Sequence, residues 1–172
     1  MDHGYHIRLA TAHDLSALPD IERRAAIRFH EFGLGDTFAT ILTPAAALDE
    51  GLKAQRLWVA QNNTAELVGF ALASRVGEQA HLDELDVLPE YGQRGIGSAL
   101  VETVCQWARR SGFSAITLTT LSQVPWNAQF YERLGFCILN EDRLTGALKE
   151  LLQAEIAGGL PSQHRVAMQR EL

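Results

Sequence analysis

The sequence predicts a single α/β domain spanning residues 1–172. Three observations carry this: helical and strand periodicities alternate along the chain, three strands follow one another near its centre, and a glycine-rich turn leads from a strand into a long amphipathic helix. A chain of 172 residues has enough material for one core. It contains no internal repeat, low-complexity tract or linker.

The elements follow in order. Tyr5–Leu9 reads as a first strand. Asp14 is an N-cap type, and Leu15, Leu18, Ile21, Ala25 and Phe29 follow it at helical spacing until Gly33 and Gly35 end the segment. Pro44 opens a second helix over 44–55. Residues 56–61 and 67–75 are strands around the turn at Asn62-Asn63, and 79–88 is a third, closed by Pro89. After the loop at 90–94 comes a helix over 95–111 with Ile96, Leu100, Val104, Cys105 and Trp107/Ala108 on its apolar face. Arg109 and Arg110 suit its C-terminal dipole, and Gly112 is a C-cap type. A strand over 115–121, a short helix over 125–134 and a strand over 136–139 come next. Leu144, Leu148, Leu151, Leu152 and Ile156 then mark an amphipathic helix over about 144–157, ended by Gly158-Gly159, and a last strand covers 165–172. The expected order is βααβββαβαβαβ. The apolar face at 144–156 has two uses: to cap the domain's own sheet, or to cover a cleft or a homodimer contact.

Composition excludes several function classes. The net charge is −6, and the 15 Lys and Arg are scattered, so no nucleic-acid partner is expected. No apolar run is long enough to span a bilayer, and no basic-then-apolar leader opens the chain, so no membrane partner is expected and the compartment is the cytoplasm. Cys105 and Cys137 form no CxxC and read as buried thiols. The histidines show no HExxH spacing, so no metal is expected, and His3, His6 and His13 read as surface residues.

The informative segment is 89–100, Pro-Glu-Tyr-Gly-Gln-Arg-Gly-Ile-Gly-Ser-Ala-Leu. Glycines let backbone N–H groups approach a ligand, and a helix N-terminus adds unpaired donors and partial positive charge. Together they suit a diphosphate. The Gly-Lys-Ser/Thr of a P-loop is absent. The dinucleotide pattern GxGxxG also fails: here Gly92, Gly95 and Gly97 follow the fourth strand, and Leu100 stands at the last glycine position.

Leu85, Val87 and Pro89 precede this loop in an L-x-V-x-P pattern, and the segment 125–136, Pro-Trp-Asn-Ala-Gln-Phe-Tyr-Glu-Arg-Leu-Gly-Phe, follows it. This combination resembles the GNAT superfamily of acetyl-CoA-dependent N-acetyltransferases. The resemblance implies a mixed, largely antiparallel central sheet flanked by helices and splayed at the acetyl-CoA site. It implies acetyl-CoA as co-substrate, held by Leu85, Asp86, Val87, Gly92, Gln93, Arg94, Gly95, Ile96, Gly97, Ser98, Asn127 and Tyr131. The family's usual Arg or Gln at the start of the loop is Gly92 here, with Gln93 and Arg94 displaced by one or two places, and Arg94 is assigned to the phosphates.

The resemblance also implies chemistry. An acetyl group passes directly from the thioester to a primary amine, with a base for the amine, a donor for the carbonyl and an acid for the thiolate. The donor is the backbone N–H of Val87 or its neighbour, and Tyr131 is the acid. The strand before the loop offers Glu84, then Asp83, then His81 as base, with water relay as the alternative. Strand alternation puts His81 and Asp83 on one face, and Glu84 and Asp86 on the other. His30, Glu31, Phe32, Trp58 and Trp126 are acceptor-pocket candidates that equally suit packing or plain exposure. The acceptor is a small-molecule amine. The alternatives are a protein N-terminus or lysine, or an acyl-CoA sensor without turnover.

Overall fold

The computed structural model describes residues 4–172. His3 lies outside them, and His6 and His13 are exposed as expected. The strands are β1 (Tyr5–Leu9), β2 (Leu57–Asn62), β3 (Leu67–Val76), β4 (Gln79–Val87), β5 (Ala115–Leu121), β6 (Cys137–Ile138) and β7 (Arg165–Glu171). The helices are α1 (Leu18–Ala25), α2 (Gly35–Thr40), α3 (Ala45–Lys53), α4 (Ile96–Arg110), α5 (Ala128–Arg133) and α6 (Gly146–Ala157). The strands form one sheet in the order β1-β2-β3-β4-β5-β7-β6. Its described registers are antiparallel except for β4–β5, which is parallel at Ala80↔Ile116 and His81↔Thr117. This is the mixed, largely antiparallel sheet flanked by helices that the resemblance implies.

Two compact units divide the chain, and the division passes through β4 between His81 and Leu82. The first holds the chain up to Ala73 together with Leu82–Trp107. Its core is Leu18 and Ile21 of α1, Leu48 of α3, Leu57 and Val59 of β2, Phe70 and Leu72 of β3, and Leu88. Phe70 is wholly buried, so truncation to alanine costs about 3–5 kcal/mol. Trp58, a pocket candidate, is instead 5% exposed and packs edge-on against Trp107 with ring centres 5.9 Å apart. His30, Glu31 and Phe32 are exposed.

The second unit holds Ser74–His81 and Ala108–Leu172. Leu148 of α6 is buried with Leu139 and Ala167, and Val76, Leu144, Leu151 and Leu152 pack against them. Four of the five residues of the predicted apolar face are therefore used within this unit, and Ile156 is 40% exposed. Thr145 caps α6 by accepting the Leu148 N–H at 3.2 Å, which starts the helix at Gly146 and leaves Leu144 ahead of it.

Several expectations are corrected. Asp14 does not cap a helix with its side chain. It binds Arg8 through two contacts of 2.7 and 2.9 Å, and accepts from the Thr11 N–H at 2.7 Å. The Arg8 guanidinium holds the Asp14 carboxyl down at about 2. The first helix is not continuous: 3-10 turns at Leu15–Ala17 and Ala26–Phe32 flank α1, and Gly33, with φ of 70°, ends the second of them. Gly35 starts α2 rather than a break, and a Cβ there would meet the His30 ring at 2.6 Å. Cys105 is buried as expected, but Cys137 is exposed, because both residues of β6 are exposed. The short helix is only α5, with Asn127 at its N-cap.

Candidate functional site

The site is built where β4 runs into α4. Leu88 N–H donates to Val68 O at 2.9 Å, holding the end of β4 against β3. Gly69 makes the close approach possible, since a Cβ there would stand 2.6 Å from Asp86 O and 3.2 Å from Val87 Cγ2. After Leu88 the chain makes a 3-10 turn at Pro89–Tyr91. Gln93 and Gly95 then take left-handed backbone, with φ of 60° and 80°. Two such residues on either side of Arg94 curl the loop before the free N–H groups of the first turn of α4, a concave arrangement suited to an anion. Ile96 is 1% exposed and anchors the helix start, while Gln93, Arg94 and Gly95 are exposed and Gly97 and Ser98 half-buried.

Arg94, assigned to the phosphates, folds back on its own loop. Its guanidinium lies 5.0 Å from the Tyr91 ring centre, and Nη2 donates to Glu90 O at 3.2 Å. Arg28, which the sequence reading did not single out, stands beside the loop: a Cβ at Gly92 would lie 3.6 Å from its Nη2.

The acids of β4 divide as alternation requires. Glu84 and Asp86 meet on one face, where they are joined by Glu22 of α1. One oxygen from each of the three lies within 4.8 Å of the others. Thr43 ties Glu22 down, since its N–H and hydroxyl donate to Oε1 at 2.8 and 3.0 Å. Glu22 Oε2 and Asp86 Oδ2 are buried without a hydrogen-bond partner. Burial raises the Glu22 carboxyl above its usual range, against the Thr43 bonds. Burial first, then the charge of Glu22, lifts Glu84 to about 8, opposed by the Leu85 N–H that donates to Glu84 Oε1 at 3.3 Å. Asp86 is raised as well, by burial and then by the Glu84 charge, with Arg28 pulling the other way. Glu84 and Asp86 are both half-buried residues.

Asp83 is exposed on the other face. His81 is 2% exposed, its Nδ1 lies 2.8 Å from Thr117 Oγ1, and burial lowers it to about 4, so the ring is neutral. The arrangement therefore brings Glu84 and Asp86 together and leaves Asp83 and His81 outside the group. Glu22 carried a signal in the sequence: it falls in the apolar phase of α1 with Leu18, Ile21 and Ala25, all buried, where a charge needs a reason.

In the second unit, Asn127 O accepts the N–H of Phe130 at 3.1 Å and of Tyr131 at 3.4 Å, so Asn127 and Tyr131 open the same short helix. Tyr131 is half-buried and packs edge-on against Phe130 and Phe136, at 5.0 and 5.8 Å between ring centres. Trp126 is half-buried. No helix among the described residues is long and apolar enough to cross a membrane.

Known proteins share this architecture. The fold matches the PaiA N-acetyltransferase of Thermoplasma acidophilum, solved with coenzyme A, at a TM-score of 0.74 and 16% identity over 98% of this chain and 99% of that one. It also matches Rv2747 of Mycobacterium tuberculosis, solved with CoA and NLQ, at a TM-score of 0.70 and 20% identity over 97% and 99%. In sequence, the chain is 32% identical over 81 residues to a probable N-acetyltransferase camello of Xenopus tropicalis, covering 46% of this chain and 37% of that relative. The family model described as acetyltransferase (GNAT) family matches residues 28–136, which hold the β4 acids, the glycine loop, Asn127 and Tyr131. The chain belongs to the acetyltransferase (GNAT) family.

Proposed function

We propose that this protein transfers an acetyl group from acetyl-CoA directly to a primary amine of a small molecule. The observation that carries the reading is Glu84. It is a carboxyl lifted to about 8, on the strand that ends in the curled glycine loop. A base poised near neutral pH is what deprotonating an ammonium requires. The loop residues Gly92, Gln93, Arg94, Gly95, Ile96, Gly97 and Ser98 suit the pyrophosphate, with Arg28 as a further cation. The resemblance to the family adds Leu85, Asp86 and Val87 along the pantetheine arm, the N–H of Val87 at the thioester carbonyl, and Asn127 and Tyr131 beside the sulfur.

The chemistry balances. Glu84 takes one proton from the ammonium. The freed nitrogen attacks the acetyl carbon, the C–S bond breaks, and the thiolate receives a proton from Tyr131, which the second amine proton restores. No metal is needed in this scheme, and the compartment suited to it is the cytoplasm.

The test is thiol release from acetyl-CoA with a panel of amines. Tyr131→Phe removes only a hydroxyl, so kcat should fall about 10- to 1,000-fold, in line with the loss of a general acid. Thiol release that no amine stimulates, with acetyl-CoA still bound, would favour an acyl-CoA sensor instead.

A further inference from the structure

Glu22 is 6% exposed, and only one of its two carboxyl oxygens is satisfied: Oε1 accepts from Thr43, while Oε2 is buried with no partner. Asp86 Oδ2 is in the same state. Buried acceptors without donors are rare in folded proteins, and two of them in one cluster mark a place where donors arrive with a ligand. We infer that Glu22, Glu84 and Asp86 form the seat of the acceptor's ammonium group, and that the acceptor is a primary amine with no carboxylate on the carbon that bears the nitrogen. This rests on the N-acetyltransferase reading above.

The geometry fits one nitrogen. One oxygen from each carboxyl lies within 4.8 Å of the others, and three acceptors about 2.8 Å from a tetrahedral ammonium need stand no more than about 4.6 Å apart, so a single nitrogen can reach all three. A primary ammonium brings three N–H donors for three carboxyls. A secondary one brings two and leaves an orphan. A calcium ion wants six to eight oxygen ligands, and this cluster provides three carboxyls.

The surrounding charges make the seat selective. Asp83 adds negative charge near Glu84, while Arg23 faces Glu22 and Arg28 faces Asp86 from exposed positions. A carboxylate on the carbon next to the nitrogen would be brought against carboxyls that burial and one another's charge already push toward the neutral form, and the same burial and like charge disfavour a further acid there. α-Amino acids are therefore rejected and their decarboxylated counterparts accepted. Glu22 is the discriminating residue, because it is the member of the trio that does not come from β4.

Matched pairs test this: tyramine against tyrosine, phenethylamine against phenylalanine, and pentylamine against norleucine, with N-methylphenethylamine as the secondary amine. Thiol release gives kcat/KM, and calorimetry on the CoA-loaded protein gives binding. At least one simple amine should exceed its amino acid by 100-fold or more, and phenethylamine its N-methyl form by tenfold or more. Glu22→Gln, and Glu22→Leu if the first unfolds, should cut the amine-to-amino-acid ratio at least tenfold while the melting shift given by acetyl-CoA is kept. Equal use of an amino acid and its amine would overturn the inference. So would an unchanged ratio in the folded variants, or failure of every amine to bind the wild type at millimolar concentration. Calcium or manganese chloride that binds and displaces the amine would reassign the cluster to a metal. Amines that bind the wild type but not Glu22→Gln, with no acetylation, would keep the seat and reject the proposed reaction instead.

Discussion

Arg165 Nε donates to Glu155 Oε2 at 2.8 Å, joining the start of β7 to the last turns of α6 through a largely buried ion pair. Thr119 of β5 completes it, donating to Glu155 Oε1 at 2.8 Å and accepting from Arg165 Nη2 at 3.1 Å. Removing one member leaves the other charge buried and uncompensated. Glu155→Gln should therefore destabilise the protein by about 3 kcal/mol, the low end for a buried pair, because Glu155 keeps some solvent contact. Urea melts with a Glu155/Arg165 double-mutant cycle measure it, and additive effects would show that the pair does not couple.

The Glu84 carboxyl should be visible in both rate and stability. The acid limb of kcat/KM should fall near pH 8 rather than near 4.5, and Glu84→Gln should remove it. The folded state binds the proton more tightly than the unfolded chain, so stability is lost as pH rises from about 4.5 to about 8. Asp86 shifts in the same direction, and the two titrate as a pair. Glu84→Gln should raise the melting temperature at pH 8 and leave it nearly unchanged at pH 4.5. A limb that stays in place would move the role of base to Asp83, His81 or water.

His81 gives the opposite slope. Its ring is held neutral by burial, with Arg165 adding to the effect, so the folded state binds fewer protons than the unfolded chain. Its contribution is full above about pH 6.5 and disappears as pH falls toward about 4. His81→Asn should flatten the melting-temperature profile across that window. A profile that keeps its slope would assign the acid sensitivity elsewhere.

Gly69→Ala should cost about 1–3 kcal/mol, the range for overpacking, since the added carbon would face the Asp86 carbonyl at 2.6 Å and backbone can yield only by shifting the strand end. The same push moves the Asp86–Val87 peptide, so kcat/KM should fall by more than the fraction unfolded accounts for. Activity that tracks only the folded fraction would show that the strand end relaxes without consequence.

Much of this was legible in the sequence because it depends on local pattern. The alternation of β4 placed Glu84 and Asp86 on one face, and the glycine spacing located the turn into α4. What was not legible depends on contacts distant in sequence. Asp14 has the composition of a cap, but Arg8 and Thr11 claim its carboxylate first. Gly35 reads as a helix breaker until the His30 ring is seen lying where its side chain would be. Glu22 lies 62 positions before Glu84, and only the fold sets the two side by side. Leu144 shares the apolar period of α6, yet Thr145 begins the helix just after it.

The origin of Glu22 has an evolutionary consequence. Its carboxyl comes from α1 and is held by Thr43, whereas the residues proposed to handle the thioester come from β4, the loop after it and the start of α5. Exchanges at position 22, or in the short segment around Thr43, can therefore diversify which nitrogen compound is accepted without disturbing the donor half of the reaction. Such a separation lets a lineage explore new acceptors one codon at a time, and it gives an engineer the same entry point.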